Sequence, residues 1–172
     1  MEKSILQLFP QEYRTLWRRV SEEQDKIQEI RLRVRKPVII YCGGREFFHS
    51  ETGELISVAG NCSKHIVTER ELERILQHIC HYSPYAYEEE LRRGFVTVAG
   101  GHRVGVVGQV VLEEDGSVRT IKNVSCLNIR VSHQIRGAAD DVMCRLYRNQ
   151  RLKSTLIVSP PGCGKTTMLR DM

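Results

Sequence analysis

In the first twenty residues, Ile5, Leu6, Leu8, Phe9, Leu16, Trp17 and Val20 recur at the spacing of one helix face. Arg14, Arg18 and Arg19 fall on the polar side, and Pro10, which lacks an N–H, interrupts the predicted helix. Residues 29–42, EIRLRVRKPVIIYC, switch to a period of two. Ile30, Leu32 and Val34 alternate with Arg31, Arg33 and Arg35, the pattern of a half-buried strand. Gly43-Gly44 then supplies a turn into a short second strand, REFFH.

Thr68 followed three residues later by Glu71 makes a capping box, and Leu72, Ile75, Leu76 and Ile79 continue at helical spacing, so VTERELERILQHICHYS predicts a helix. A second helix, PYAYEEELRRG, opens with Pro84 in a permitted first-turn position and stops before Gly94. Residues 94–131 are valine-rich runs separated by turn signals at Gly100-Gly101 and Asp115-Gly116, which predicts an antiparallel meander. Residues 1–135 therefore read as an α+β domain for assembly or regulation. After Gly137 the order becomes helix (AADDVMCRLYRNQ), apolar strand (STLIVS), glycine loop and new helix, the succession of an α/β domain. A boundary falls near 133–140, and residues 136–172 are expected to be the truncated start of a P-loop, RecA-like domain.

Composition agrees with folded chains: 41% hydrophobic and 27% charged residues over 172 positions. No run approaches the roughly 20 apolar residues of a membrane-spanning helix, and the N-terminus has no cleavage-site pattern, so the expectation is a cytoplasmic protein. Six cysteines, Cys42, Cys62, Cys80, Cys126, Cys144 and Cys163, form no CxxC pair and read as reduced, mostly buried thiols. A net charge of +5 admits an acidic partner, although TERELERILQ and YEEELRR interleave the two signs as a solvated surface does.

The most specific chemistry lies in LIVSPPGCGKTTMLRDM, Leu156–Met172. Nucleotide phosphates are complemented by backbone N–H groups at a helix N-terminus. Gly162 and Gly164 allow close approach, Lys165 reaches the β- and γ-phosphates, and the Thr166 hydroxyl is placed to ligand Mg²⁺. Thr167 is a second hydroxyl near the α-phosphate, and Ser159, Pro160, Pro161 and Cys163 complete the loop. Ser159 stands where the G-x-x-x-x-G-K-[ST] pattern has its first glycine; it ends the predicted strand, and the two prolines rigidify the turn. The expected cofactors are ATP and Mg²⁺. Hydrolysis needs an acidic residue on a separate strand, so residues 1–172 alone are expected not to turn over ATP, and the last ~15 to fray or lean on the first domain.

Four segments in order, EIRLRVRKPV, ELRRGFVTVAGGHRVGVVGQVV, SCLNIRVSHQIRGAAD and SPPGCGKTTMLRD, resemble the stage III sporulation protein AA family of endospore-forming bacteria. That family is similar to the type II and type IV secretion ATPases. The resemblance implies an ATP-driven motor of the mother-cell cytoplasm, working as a hexameric ring with membrane channel proteins of the sporulation complex, to energise assembly of or transport through a channel into the forespore. In the related ATPases, arginines of the N-terminal domain reach the nucleotide; Arg103 in GGHRVG and Arg130 in NIRVS are the candidates here, against solvent-facing strand arginines.

Other signals are weaker. Cys62, His65, His78, Cys80 and His81 could offer metal ligands, but their spacing matches no standard finger. Gly105–Gly108, GVVG, has the letters of a KH loop, yet that loop joins helices and Val106 and Val107 read as strand, so direct nucleic-acid binding is an alternative and not the expectation. A purely structural ring or docking module over residues 1–135 is the other alternative, with Trp17, Arg18 and Arg19 facing acidic lipid or an acidic tail. Cys163 is a candidate for oxidation that blocks nucleotide.

Overall fold

The computed structural model describes residues 4–57, 59–60, 62–133, 137–148, 151–160 and 163–172. It divides into two compact units, Met1–Ser132 and His133–Met172. In the first unit the segment expected as one interrupted helix is two short 3-10 turns, Ile5–Leu8 and Gln11–Tyr13, followed by helix α1, Arg14–Glu22. Pro10 separates the turns and α1 carries the apolar stripe inward. Trp17 is fully buried, stacked between Phe9 at 4.0 Å and His49 at 4.4 Å between ring centroids. It is a core residue, as tryptophans more often are, so the alternative of a lipid- or partner-facing Trp17 falls away; Arg19 on the polar side pairs with Glu54.

The strand read from residues 29–42 is in fact two, β1, Ile27–Arg33, and β2, Ile39–Cys42, paired antiparallel. Arg35 turns the chain with φ +59°, and Pro37, which cannot continue a ladder as donor, falls between the strands. β3, Arg45–His49, and a β4 that the sequence did not announce, Leu55–Ser57, extend the sheet. The turn between them needs Gly53: its φ is +86°, and a Cβ there would lie 2.3 Å from the Leu16 carbonyl oxygen.

Helix α2, Glu69–Ile79, begins at Thr68, whose hydroxyl accepts the Glu71 N–H at 3.1 Å. The Glu71 carboxylate, expected to return to the cap, lies 3.0 Å from His65 Nε2 instead. His65 Nδ1 is 2.9 Å from His49 Nδ1, and His49 Nε2 faces the Leu16 carbonyl at 3.3 Å. A buried polar chain thus ties α1, β3 and α2 together beneath Trp17. Helix α3, Glu88–Arg92, ends at Gly94 with φ +80°.

The meander follows as β5, Phe95–Thr97, β6, Arg103–Leu112, and β7, Val118–Arg130. Among the described residues the sheet has seven strands in the order β4-β3-β2-β1-β7-β6-β5, each paired antiparallel with its neighbours. This is an α+β fold. Ile30, Leu32, Ile40, Val104, Val106, Leu127 and Ile129 point to one face and form a single core with Val20, Leu72, Ile75, Ile79 and Leu91 of the helices. Alternation sends Arg31, Arg33, Arg103 and Arg130 to the other face.

The second unit contains α4, Asp140–Leu146, a two-residue hairpin of β8, Tyr147–Arg148, and β9, Arg151–Leu152, and α5, Lys165–Asp171. The Ala139 N–H donates to Asp171 Oδ2 at 2.9 Å, joining its two helices. The expected strand STLIVS does not form: residues 153–160 are irregular, and Leu156 and Val158 are 86% and 81% exposed. An apolar run becomes a strand only where a neighbour takes its backbone hydrogen bonds, and no strand lies alongside it among the described residues. The thiols also depart from expectation. Cys42 and Cys80 are buried and Cys126 is half-buried, burial raising all three above the ordinary thiol range, whereas Cys62, Cys144 and Cys163 are exposed.

Candidate functional site

In the glycine loop, Gly164 has φ +78°, a left-handed conformation that L side chains rarely adopt, and its carbonyl accepts the Met168 N–H at 2.9 Å as the first bond of α5. The Lys165 ammonium curls back over the loop. It donates to the Ser159 carbonyl at 2.6 Å, the Ser159 hydroxyl at 3.0 Å and the Pro160 carbonyl at 2.7 Å. Ser159, in the place of a glycine, therefore supplies a hydroxyl that helps hold the lysine. Thr166 and Cys163 are exposed and Thr167 is half-buried. Pro161 and Gly162 lie outside the described residues.

This donor set suits a polyphosphate with its cation. One ammonium satisfied, among the described residues, by neutral oxygens, with two neighbouring hydroxyls and a glycine-permitted backbone, makes a set of groups that an anion can engage. Lys165 would hold phosphate oxygens and Thr166 would ligand the metal; Mg²⁺ supplies charge neutralisation on the phosphates when bound.

Arg103 and Arg130, far apart in sequence, are direct register partners across β6 and β7. Arg130 is also the register partner of Glu29 on β1, its Nε 4.0 Å from Glu29 Oε2. Glu29, only 17% exposed, is shared with Arg31. The Arg103 guanidinium lies over the Phe95 ring, 4.1 Å from its centroid, and among the described residues no carboxylate pairs with it. Two like charges directly opposite each other on a sheet repel, and one shared carboxylate offsets them only in part. The row is thus short of negative charge. Nothing local in the sequence marks the adjacency of these two arginines, which follows from the pairing register.

The weaker candidates disperse. His65 belongs to the buried chain under Trp17, His78 Nε2 donates to the Gln7 carbonyl at 3.0 Å, and Cys80 is buried. Gly105–Gly108 lies inside β6, where a Cβ on Gly108 would meet the Lys122 carbonyl oxygen at 2.6 Å. Close strand approach accounts for that glycine. Among the described residues no helix is long and apolar enough to cross a membrane.

Fold and loop together define an α+β sheet unit followed by a segment bearing a phosphate-loop signature. The chain belongs to the family described as Sporulation stage III, protein AA, which matches residues 1–172. It is 35% identical over 169 residues to the Stage III sporulation protein AA of Bacillus subtilis (strain 168), covering 98% of this chain and 50% of the relative. The chain therefore spans about half the length of that relative. Among solved structures it is similar to the Legionella pneumophila ATPase DotB, at 13% identity and a TM-score of 0.41, over 95% of this chain and 42% of the other.

Proposed function

We propose that this chain is the N-terminal part of an ATP-binding motor of sporulation, comprising an assembly or regulatory domain over residues 1–135 and the start of a P-loop, RecA-like domain over 136–172. The carrying observation is the Lys165 ammonium, held among the described residues by neutral oxygens of its own loop, in a member of the sporulation stage III AA family. In this reading Ser159, Pro160, Pro161, Gly162, Cys163, Gly164, Lys165, Thr166 and Thr167 bind ATP, with Thr166 on Mg²⁺. Arg103 and Arg130 meet nucleotide charge, which answers the shortage of negative charge in their row. The whole protein works as a hexameric ring in the mother-cell cytoplasm, beside membrane channel proteins, and energises assembly or transport. Residues 1–172 alone bind nucleotide without turning it over.

The test is fluorescent ATP-analogue binding and ATP hydrolysis by the full-length protein and its Lys165→Ala variant. Binding should fall at least tenfold and hydrolysis should vanish, with the thermal transition of the first unit unmoved. Unchanged binding in Lys165→Ala would refute the reading. Steady-state turnover by residues 1–172 would refute its claim about this part.

A further inference from the structure

A lysine ammonium has three N–H bonds to give, and among the described residues Lys165 gives all three within its own loop. They reach the Ser159 carbonyl at 2.6 Å, the Pro160 carbonyl at 2.7 Å and the Ser159 hydroxyl at 3.0 Å. The hydroxyl in turn donates to the Pro160 carbonyl at 3.3 Å, so its own proton is aimed away from the ammonium and its oxygen is free to accept. Ammonium, hydroxyl and carbonyl close a small circuit. Ser159 and Lys165 are both half-buried, so water competes for these contacts less than it does on an open surface.

The three acceptors are not equivalent. Two are main-chain carbonyls, which any residues at positions 159 and 160 would present. The third exists only because a serine stands where the phosphate-loop pattern has glycine, a residue that could not supply it. It is also the longest of the three. A phosphate oxygen that takes an N–H of Lys165 has to displace one acceptor. The hydroxyl moves by rotation about a single side-chain bond, whereas the carbonyls move only with the backbone.

Resting on the nucleotide-binding reading above, we infer that Ser159 is a positioning residue that sets affinity by competition. Its hydroxyl occupies the Lys165 N–H that a phosphate oxygen would take, and gives it up when phosphate enters. The ligand chemistry that Ser159 opposes is therefore the phosphate chain and not the base or sugar. Without the hydroxyl, the third N–H is left to water, which phosphate displaces more readily. The net worth of one such hydrogen bond corresponds to a change of roughly three- to tenfold in Kd. The alternative has the opposite sign: a hydroxyl that aims the ammonium at phosphate would weaken binding when removed.

Titration of the full-length protein with a fluorescent ATP analogue, and displacement of that analogue by inorganic tripolyphosphate, test the inference. Ser159→Ala should bind both probes roughly three- to tenfold more tightly than the parent. Ser159→Thr, which keeps the hydroxyl, should bind as the parent does. In a Lys165→Ala background the Ser159→Ala change should have no effect, because the hydroxyl then has no ammonium to hold. Binding by Ser159→Ala that is equal to or weaker than the parent's, while Lys165→Ala loses binding, overturns the competition and leaves the nucleotide site standing. A Ser159→Ala effect that survives in the Lys165→Ala background also overturns it, since the serine would then act on the loop and not on the lysine. Unchanged binding in Lys165→Ala alone removes the nucleotide reading and this inference with it.

Discussion

Acid should weaken the first unit through His49. Its ring is fully buried, stacked on Trp17 and 2.9 Å from His65 Nδ1. Burial first, and the charge of His65 second, push its pKa down from 6.5 to about 4, against a weaker pull from the Leu16 carbonyl. The folded protein thus keeps His49 neutral where the unfolded chain takes up a proton. Between pH 6.5 and about 4 the unfolded state binds the extra proton, so stability rises with pH through that window and falls as pH drops. The contribution is intact above pH 6.5. Over about 2.5 pH units at ~1.4 kcal/mol each, some 3 kcal/mol is lost by pH 4.

Carboxylates titrate in the lower half of this range, so the informative quantity is the difference from His49→Gln, which cannot titrate. That variant loses the ring stack and should be less stable at pH 8 by roughly 1–3 kcal/mol. Its stability should nevertheless be flatter between pH 6.5 and 5 by about 1.4 kcal/mol per pH unit. Urea unfolding followed by Trp17, the single tryptophan, reads the first unit alone. Parallel stability–pH curves for the two proteins would refute the argument, because they would place the acid sensitivity elsewhere.

Other changes have equally definite outcomes. Gly53→Ala drives a Cβ to 2.3 Å from the Leu16 carbonyl oxygen and should cost on the order of 2–4 kcal/mol in urea unfolding, whereas Gly44→Ala, at φ +74° with open space around it, should cost about 1 kcal/mol. Leu32→Ala empties a fully buried site between sheet and helices and should cost about 2–5 kcal/mol, read by the same Trp17 signal. Arg130→Gln removes one member of the opposed arginine pair; stability should change by less than ~0.5 kcal/mol, and rise if at all, while ATP hydrolysis by the full-length protein falls at least tenfold. Loss of hydrolysis accompanied by unfolding of the first unit would make Arg130 structural.

Much of the fold was legible because local chemistry and tertiary packing agreed. Thr68 and Glu71 marked the start of α2, Gly94 the end of α3, and Asp115-Gly116 the tip of the β6–β7 hairpin. The failures share a cause. β1 and β2 read as one strand because the turn at Arg35 uses a positive φ on a residue that rarely takes it, which no glycine or asparagine announced. The apolar stripe around Pro10 is buried as its spacing predicts, yet the helix expected there begins as two 3-10 turns. STLIVS had the composition of a strand and lacks a neighbour to pair with. The phosphate-loop residues could be named from spacing, but the way Lys165 folds onto Ser159 and Pro160 could not.

By itself the sequence determined α2, α3 and the β5–β7 meander, the phosphate-loop signature and the family, because helix periodicity, capping, glycine turns and a contiguous loop are properties of residues close along the chain. Only the tertiary structure decided which distant residues meet. It set Arg103 opposite Arg130 and buried His49 against His65 and Glu71 under Trp17. Each of these depends on strand order and register, and a register is chosen by the whole core at once: a slip of one residue would turn Ile30 and Leu32 outward and the arginines in.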